Sequence, residues 1–273
     1  MAIISVSRRT DIPAFYSDWF FEKLENHSIT IKNPYNGYEK TVSLKPDDVD
    51  CFVFWTKNAK PMLNKLDKLK EYNFYFQHTI TPYNNSIETN VPPKAEVIET
   101  FKTLSDKIGK EKTIWRYDPI LLTDIYTKEV HYKYFEIFCR ELSGYTEKCI
   151  ISFIDLYGKV INNTSGLGIK SFTQQDYEDI AREFSKTAQK YNIQIETCAE
   201  FVDLDKYNIK HGHCIDSKLI ERLIGRPLNV GKDQGQRKIC GCATSIDIGA
   251  YNTCKNGCKY CYATTNHNNI KSM

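Results

Sequence analysis

The sequence lacks several features that would assign it to a common class of protein. It has no apolar run long enough to cross a membrane, and its N-terminus has neither the basic segment nor the cleavage site of a secretory signal. It also lacks an excess of charge of one sign, because 37 basic and 34 acidic residues leave a formal net charge of only +3. That balance is too mild to indicate a nucleic-acid-binding protein by itself. We therefore expect a cytoplasmic protein that does not associate with membranes.

Two further absences narrow the chemistry. No Gly-x-Gly-x-x-Gly or Walker pattern follows any β-prone run, which disfavours a dinucleotide-binding or P-loop fold. A disulfide framework is not expected either, because the cytoplasm is reducing. Ten cysteines are nevertheless present, so we expect some of them to bind a metal.

The strongest motif lies near the C-terminus, where Cys254, Cys258 and Cys261 are spaced C-x3-C-x2-C and Tyr260 precedes the last cysteine. So short a loop can bring three thiolates together, and a soft tris-thiolate set suits an iron–sulfur cluster or zinc. Closed zinc sites and ordinary [4Fe-4S] clusters take four protein ligands, so three thiolates leave one iron free to bind another molecule. The alternatives are a zinc site completed by His267 or a remote cysteine, and three unrelated thiols.

The rest of the chain alternates short β-prone runs with amphipathic segments. Strands are predicted over residues 3–7, 51–55, 74–80, 113–116, 149–154, 193–197 and 245–248, helices over 13–25, 60–72, 93–108, 127–143, 216–224 and from 173 onward, a hairpin around 33–37, and a long loop, suited to a lid, over 156–171. This alternation indicates a parallel sheet with helical crossovers. We expect one domain, residues 1–273, folded as a full or partial TIM-like (β/α) barrel with a cysteine-rich portion at 198–264; an open doubly wound sheet is the alternative.

Polar and charged residues recur where the predicted strands end. The candidates for catalysis are Arg8, Arg9, Lys57, His78, Arg116, Asp118 and Asp155. Active sites of parallel barrels lie at the C-terminal ends of the strands, and arginine binds carboxylates and phosphates through its planar fork. Each residue alone is better explained as a helix cap or surface charge, and the alternative role for Asp118 is to orient Arg116. Their recurrence at successive strand ends favours a site.

A second group of cysteines lies in the C-terminal third of the chain. Its members are Cys198, Cys214 within a His-Gly-His-Cys run, and the Cys-Gly-Cys pair Cys240 and Cys242. Four thiolates suit a second [4Fe-4S] cluster or a zinc ion. Structural thiols are the competing interpretation, because free cysteine often behaves as a small buried hydrophobe. The remaining cysteines, Cys51, Cys139 and Cys149, are expected in the core.

Several segments together resemble the family known as domain of unknown function 1848. They are SVSRRTDIPA at residues 5–14, FWTKN at 54–58, WRYDP at 115–119, TCAE at 197–200, HGHCID at 211–216 and the final cysteine block. The resemblance covers nearly the whole chain. That family is bacterial and largely uncharacterised, and its C-terminal cysteines are similar to the cluster motif of radical-SAM enzymes.

The resemblance implies a radical-SAM-like enzyme. Cys254, Cys258 and Cys261, with Tyr260, would form the cofactor-binding loop, and the open iron of a [4Fe-4S] cluster would take the amino and carboxylate groups of S-adenosylmethionine. An electron donor such as flavodoxin or ferredoxin would reduce the cluster, and cleavage of the sulfonium would give methionine and a 5′-deoxyadenosyl radical. That radical would act on an undetermined substrate, a small molecule or a nucleic acid, at the barrel mouth. The sequence has no Gly-Gly-Glu motif of the kind that commonly holds the methionine amine.

One departure from radical-SAM enzymes is informative. Their cysteine loop follows the first strand, whereas here it follows the last predicted strand, 245–248. A circular permutation would explain this, with 245–248 in the place of the usual first strand and 3–7 in the place of the second, and it requires these strands to be neighbours.

The alternative function is a non-catalytic iron–sulfur or zinc protein. It would use a basic face to contact nucleic-acid phosphates, formed by Arg226, Lys232, Arg237 and Lys238. The low net charge disfavours it.

Overall fold

Eight parallel strands form the frame of the molecule. The computed structural model describes residues 1–265 and 269–273. Within them the strands are β1 (Ala2–Val6), β2 (Ser28–Lys32), β3 (Glu39–Ser43), β4 (Val49–Thr56), β5 (Phe74–Thr79), β6 (Thr113–Ile120), β7 (Lys148–Phe153), β8 (Gln194–Cys198), β9 (Lys210–Gly212) and β10 (Ile246–Asp247). The helices are α1 (Ile12–Phe15), α2 (Ser17–Glu25), α3 (Lys94–Ile108), α4 (Lys128–Leu142), α5 (Gly158–Thr164), α6 (Gln174–Lys190) and α7 (Ser217–Ile224).

The sheet order is β10-β1-β4-β5-β6-β7-β8-β9, and every neighbouring pair is parallel. The predicted hairpin is the separate antiparallel pair β2 and β3. With β10 placed ahead of β1, the order follows the chain and never reverses, unlike the order of a doubly wound sheet. The parallel α/β class is therefore confirmed.

The expectation of a fully closed barrel is not met, because no ladder joins β9 to β10 in the described chain. Both edge strands are very short, three residues in β9 and two in β10, so they offer few groups for pairing. Strand β9 was also missed by the sequence prediction. Its Lys-His-Gly sequence has no alternating apolar residues.

The last strand of the sheet pairs with the first. Ile4 is in register with Ile246, and Ser5 with Asp247. The adjacency that a circular permutation requires is thus present. The cysteine loop follows β10 directly, so it emerges at the same edge of the sheet as the end of β1.

Helices α2, α3, α4 and α6 cover one face of the sheet. Phe52 and Phe54 of β4 pack with Phe20 of α2, with ring centroids 5.5 and 5.4 Å apart. Farther along the sheet, Phe135 of α4 stacks on Phe184 of α6 at 3.8 Å. Full burial of each such ring contributes about 2–3 kcal/mol, so this face holds most of the apolar stabilisation.

The opposite face packs against the C-terminal third of the chain. Its buried side chains are Cys51, Val53, Tyr75, Ile114 and Ile150, which contact Leu219 and Ile220 of α7. The side chains of successive strand residues point to opposite faces, so the same strands supply both cores. The three cysteines expected in the core are fully buried.

Local signals explain most helix ends. Thr173 begins α6 with a reciprocal capping box to Asp176, and Thr127 caps α4. Gly225 ends α7 with φ 70°, a conformation that glycine adopts without strain. Two helix predictions were inaccurate, because the helix expected over 13–25 is divided at Tyr16 into α1 and α2, and Lys60–Leu69 forms a 3₁₀ segment.

None of the helices in the parts of the chain described above is long and apolar enough to span a bilayer. The loop expected over 156–171 also contains a helix of its own, α5.

Candidate functional site

A cavity of about 490 Å³ lies at the C-terminal ends of the parallel strands. It is lined by six of the seven predicted catalytic residues, Arg8, Arg9, Lys57, Arg116, Asp118 and Asp155, and by seven cysteines, Cys198, Cys214, Cys240, Cys242, Cys254, Cys258 and Cys261. The fold therefore brings the strand-end residues and both cysteine groups to one place. The volume falls within the range of small-molecule and cofactor sites.

The loop that carries Cys254, Cys258 and Cys261, called here the cysteine loop, is pinned along residues 87–90. Lys259 N donates to the carbonyl of Ile87 at 2.9 Å, and Asn90 N donates to the carbonyl of Asn256 at 2.9 Å. Gly257 permits this close approach, because its φ is 68° and a Cβ there would lie 3.0 Å from Thr89. The backbone of the loop is thus fixed by neighbouring backbone.

Asp11 joins the cysteine loop to two strands. Its carboxylate accepts from the backbone N of Lys57 at 2.8 Å, from Asn256 Nδ2 at 2.8 Å and from Ala14 N at 3.1 Å. Asn256 Nδ2 also lies 3.6 Å from Cys254 Sγ. Burial raises the pKa of Asp11, against the lowering effect of these hydrogen bonds.

Glu88 is a buried anchor that sequence reasoning missed. Its carboxylate accepts from Lys57 Nζ at 2.8 Å, Lys94 Nζ at 2.5 Å, Thr81 Oγ1 at 2.7 Å and the hydroxyl of Tyr260. Burial alone would raise the pKa of Glu88, but the two ammonium groups lower it to about 2. The hydroxyl of Tyr260 therefore fixes the cysteine loop to a charged network.

The donor set of the cysteine loop fits a cationic metal group. Burial, Asp11 and Cys261 raise the pKa of Cys254 to about 12. Burial also raises the pKa of Cys258; Lys57 opposes this effect, whereas Glu88 and the other two loop thiols add to it. Thiolate ligands in such a place need a compensating positive charge, which bound metal supplies.

Arg116 is almost fully buried within β6, which extends four residues beyond the predicted end of this strand. Its Nη1 donates to Gln77 Oε1 at 2.6 Å and to Cys214 Sγ at 2.8 Å, and its Nε donates to Asp118 Oδ2 at 3.0 Å. Asp118 also accepts from Ser152. The simpler role expected for Asp118, orienting Arg116, agrees with these contacts.

Arg8 and Asp155 lie on the cavity wall with partners of opposite charge. Arg8 Nε is 3.9 Å from Asp247 Oδ2, and its Nη2 donates to Ser245 Oγ at 3.2 Å. Asp155 accepts from Arg237. Asp247 in turn accepts from the backbone N of Arg8 at 2.9 Å, so β10 fixes the end of β1.

Helix α5 closes another side of the cavity. Asn163 Nδ2 donates to the carbonyls of Cys261 at 3.0 Å and Thr264 at 2.9 Å, which ties the helix to the cysteine loop. Nearby, the guanidinium of Arg9 lies 5.1 Å from the centroid of the Tyr251 ring. The segment for which a lid was expected thus contacts the cysteine loop directly.

His78 does not lie at the cavity. Its neighbour Gln77 faces the C-terminal third of the chain, so strand alternation directs His78 to the helices, 5.5 Å from the Phe101 ring. Neither ring nitrogen has a hydrogen-bond partner among the described residues. Burial and the charge of Lys57 lower the pKa of His78 to about 3. The sequence could show that His78 lies near a strand end, but not which face it occupies.

The second cysteine group forms a connected series of thiols. Cys198 Sγ lies 3.0 Å from Cys214 Sγ, and Cys214, Cys240 and Cys242 are buried in one core cluster against which Cys198 packs. A hydrogen bond from Cys242 lowers the pKa of Cys240 to about 7. Position 241, between Cys240 and Cys242, needs glycine because a Cβ there would lie 2.0 Å from the His213 ring.

No three histidine, cysteine, aspartate or glutamate side chains of the described chain are grouped as ligands of a single metal ion. His267, the histidine considered as a fourth ligand, lies outside the described residues. A cuboidal cluster holds its thiolates farther apart than one ion does, so this finding bears on single-ion sites.

The fold and the cavity define a parallel α/β protein with a cysteine-lined site at the C-terminal ends of its strands. The chain belongs to the family described as domain of unknown function (DUF1848), whose model matches residues 3–263. The resemblance read from the sequence motifs is thus confirmed. No curated protein matches the chain.

Proposed function

We propose that the protein is a radical-SAM-type enzyme in which Cys254, Cys258 and Cys261 hold a [4Fe-4S] cluster and S-adenosylmethionine binds in the adjoining cavity. One observation carries the proposal. The three loop cysteines line the cavity at the strand ends, while the other four cavity cysteines pack together in a separate core cluster. No fourth thiol of the described chain therefore completes the loop site, and an iron with a free position is what this chemistry needs.

The cofactors supply the demanding chemistry, an electron from the cluster and a sulfonium that cleaves reductively. The protein supplies position and charge. Glu88 and Asp11 fix the cysteine loop, while Arg9, which lines the cavity and contacts the Gly249 carbonyl and the Tyr251 ring, suits a carboxylate or phosphate of the ligand. Helix α5 shields one side of the cavity from water.

The fold supports the same proposal. We infer a partial (β/α) barrel that is circularly permuted relative to radical-SAM enzymes, with β10 and β1 in the places of the usual first and second strands. Their parallel pairing and the position of the cysteine loop after β10 are what this topology requires. The six candidate residues at the cavity then lie on the substrate side, and His78 has no part in the reaction.

The proposal is tested without oxygen. The protein is reconstituted with iron and sulfide, reduced with dithionite or flavodoxin, and mixed with S-adenosylmethionine, and 5′-deoxyadenosine is measured by mass spectrometry. We expect product from the wild type and from a Cys139→Ala control, and none from Cys254→Ala/Cys258→Ala/Cys261→Ala. A wild type that binds zinc, or holds a cluster but never forms 5′-deoxyadenosine, contradicts the proposal and supports a non-catalytic metal protein.

The alternative function, a non-catalytic metal protein that binds nucleic acid through a basic face, receives little support. Arg226 is paired with Asp50, and Arg237 with Asp155, while Lys232 donates to the carbonyl of Lys238. These residues therefore do not present a free row of cations for phosphates. A small-molecule substrate fits the cavity better than a nucleic-acid duplex does.

A further inference from the structure

The second cysteine group lies between the two open edges of the sheet. Cys198 is the last residue of β8, and Cys214 follows the edge strand β9. Cys240 and Cys242 precede β10, the strand at the other edge. Cysteines from both edges therefore meet in one buried cluster, although no backbone ladder joins these edges in the part of the chain that the structure describes.

The chain already approaches closure at this place. Ala243 N donates to the carbonyl of Ile215 at 3.1 Å, and Ile215 N lies 3.4 Å from Cys242 Sγ. Cys214 and Cys242 are 5% and 3% exposed. The four thiols thus form a buried group that links segments far apart in sequence, with only a few backbone hydrogen bonds beside it.

Hydrogen bonds fix both the backbone carbonyl and the sulfur of Cys214. Its carbonyl accepts from the Tyr75 hydroxyl at 2.6 Å and from the Gln77 amide. Its sulfur accepts from Arg116 Nη1 at 2.8 Å. A buried guanidinium beside the sulfur offsets the negative charge that a tetrathiolate centre carries, since four thiolates outweigh the charge of either zinc or a [4Fe-4S] core.

We propose that Cys198, Cys214, Cys240 and Cys242 hold a second metal centre, fully ligated by protein thiolates, that fastens the two edges of the sheet together. The centre we propose is a [4Fe-4S] cluster, which takes four cysteine thiolates, because no three of these side chains in the described chain are grouped as ligands of a single ion. Because all four positions are filled by the chain, the centre does not bind S-adenosylmethionine. The proposal goes beyond the proposed function and stands whether or not S-adenosylmethionine is cleaved.

Metal and sulfide content tests the assignment. Iron, zinc and acid-labile sulfide are measured in anaerobically prepared wild type, in the triple cysteine-loop variant, in Cys240→Ala/Cys242→Ala and in the Cys139→Ala control. The loop variant should retain one centre, with about four iron atoms and matching sulfide. Cys240→Ala/Cys242→Ala should lose that centre. A loop variant without metal, or an unchanged content in Cys240→Ala/Cys242→Ala, overturns the proposal.

A second measurement needs no substitution in the proposed centre. The loop variant is alkylated with and without prior chelation, and the modified cysteines are identified by mass spectrometry. We expect Cys198, Cys214, Cys240 and Cys242 to be protected until the metal is removed, and the thermal midpoint then to fall by about 10 °C. Equal alkylation before and after chelation, or a Cys198–Cys214 disulfide in the reduced metal-loaded protein, contradicts a metal centre. Failure to cleave S-adenosylmethionine leaves these readouts unchanged, so the two proposals fail separately.

Discussion

The two cysteine groups differ in how the chain assembles them. The cysteine loop draws its three thiols from residues 254–261, and the other group draws four from residues 198–242. A single loop fixes the first group locally, whereas the second exists only because β8, β9 and the approach to β10 meet in space. Closely spaced cysteines can therefore be recognised as a group in the sequence, whereas cysteines dispersed along the chain are recognised as a group only in the fold.

Their surroundings differ as well. The cysteine loop is backed by Glu88, Asp11 and helix α5, none of which adds a thiol to it. The second group contains four cysteines and lies against Arg116. This contrast suggests a division of roles, with chemistry at the loop and closure of the sheet at the second group.

Removal of one loop thiol should have the largest effect. Cys258→Ala should abolish formation of 5′-deoxyadenosine, a loss greater than the roughly 10–100-fold that second-shell changes around a metal cause. The thermal midpoint should change much less than in Cys240→Ala/Cys242→Ala. Comparison of activity and thermal unfolding in the two variants checks the division of roles, which a reversed pattern would contradict.

Glu88→Gln should destabilise the backing of the cysteine loop. It leaves Lys57 and Lys94 buried without their shared carboxylate, so the free energy of unfolding should fall by about 3–5 kcal/mol. Iron should be lost from the loop and retained by the second group. Urea unfolding and metal analysis measure both effects. The control is Glu96→Gln, which removes the carboxylate of the exposed Lys60–Glu96 ion pair. Loss of iron from both groups in equal measure would show that they are not independent.

A pH titration separates the metal-dependent stability from that of the helix-covered face. Burial lowers the pKa of His131 from 6.5 to about 4, and its neutral ring bonds the Tyr117 hydroxyl at 2.7 Å and the Leu121 carbonyl at 2.8 Å. The unfolded chain binds this proton first as the pH falls, so stability is fully present above 6.5 and about 3 kcal/mol is lost toward pH 4. Denaturant unfolding of the metal-free protein across this range should show the slope.

His131→Gln is the matched control for that titration. It should reduce the pH dependence between 6.5 and 4 while leaving metal content unchanged. An identical slope in the variant would assign the effect to other groups, such as His78, whose pKa is also lowered by burial.

Two glycine substitutions should have smaller effects, and each should weaken metal binding in a different cysteine group. Gly241→Ala places a Cβ 2.0 Å from the His213 ring, so it should weaken metal binding by the second group only. Gly257→Ala, at φ 68°, should cost about 1 kcal/mol and weaken only the cysteine loop. Metal analysis of both variants measures the effects.

A second substitution should restore metal binding to the Gly241→Ala variant. His213 is exposed, so His213→Ala should be tolerated and should restore metal binding to Gly241→Ala. No recovery in the double variant would mean that the steric account of Gly241 is wrong.

Much of the fold could be predicted, because the β/α alternation and the caps at Thr127 and Thr173 are local signals. The pairing of β10 with β1 was also predictable, but only through the family resemblance. The edge strand β9 could not be predicted, because its short polar sequence has no apolar pattern. The break at Tyr16 depends on the tertiary packing of α1 and α2.

The candidate site shows the same limit. Lys57 was found because it follows a predicted strand and parallel strands end at one edge of the sheet, and Arg116 was found although β6 continues past it. The sequence could not show which side of its strand His78 occupies, because that side depends on register. Glu88 was missed because it lies in a connection with no motif, and only folding brings it to Lys57 and Tyr260.

The most direct test of the account is electron paramagnetic resonance of the reduced, iron-loaded protein with and without S-adenosylmethionine. In Cys240→Ala/Cys242→Ala only the cysteine-loop cluster should remain, and its signal should shift when S-adenosylmethionine is added. In the triple loop variant any signal from the second centre should not respond. A loop signal that is indifferent to S-adenosylmethionine, or a loop that binds zinc in place of iron, would contradict an open cluster at Cys254, Cys258 and Cys261.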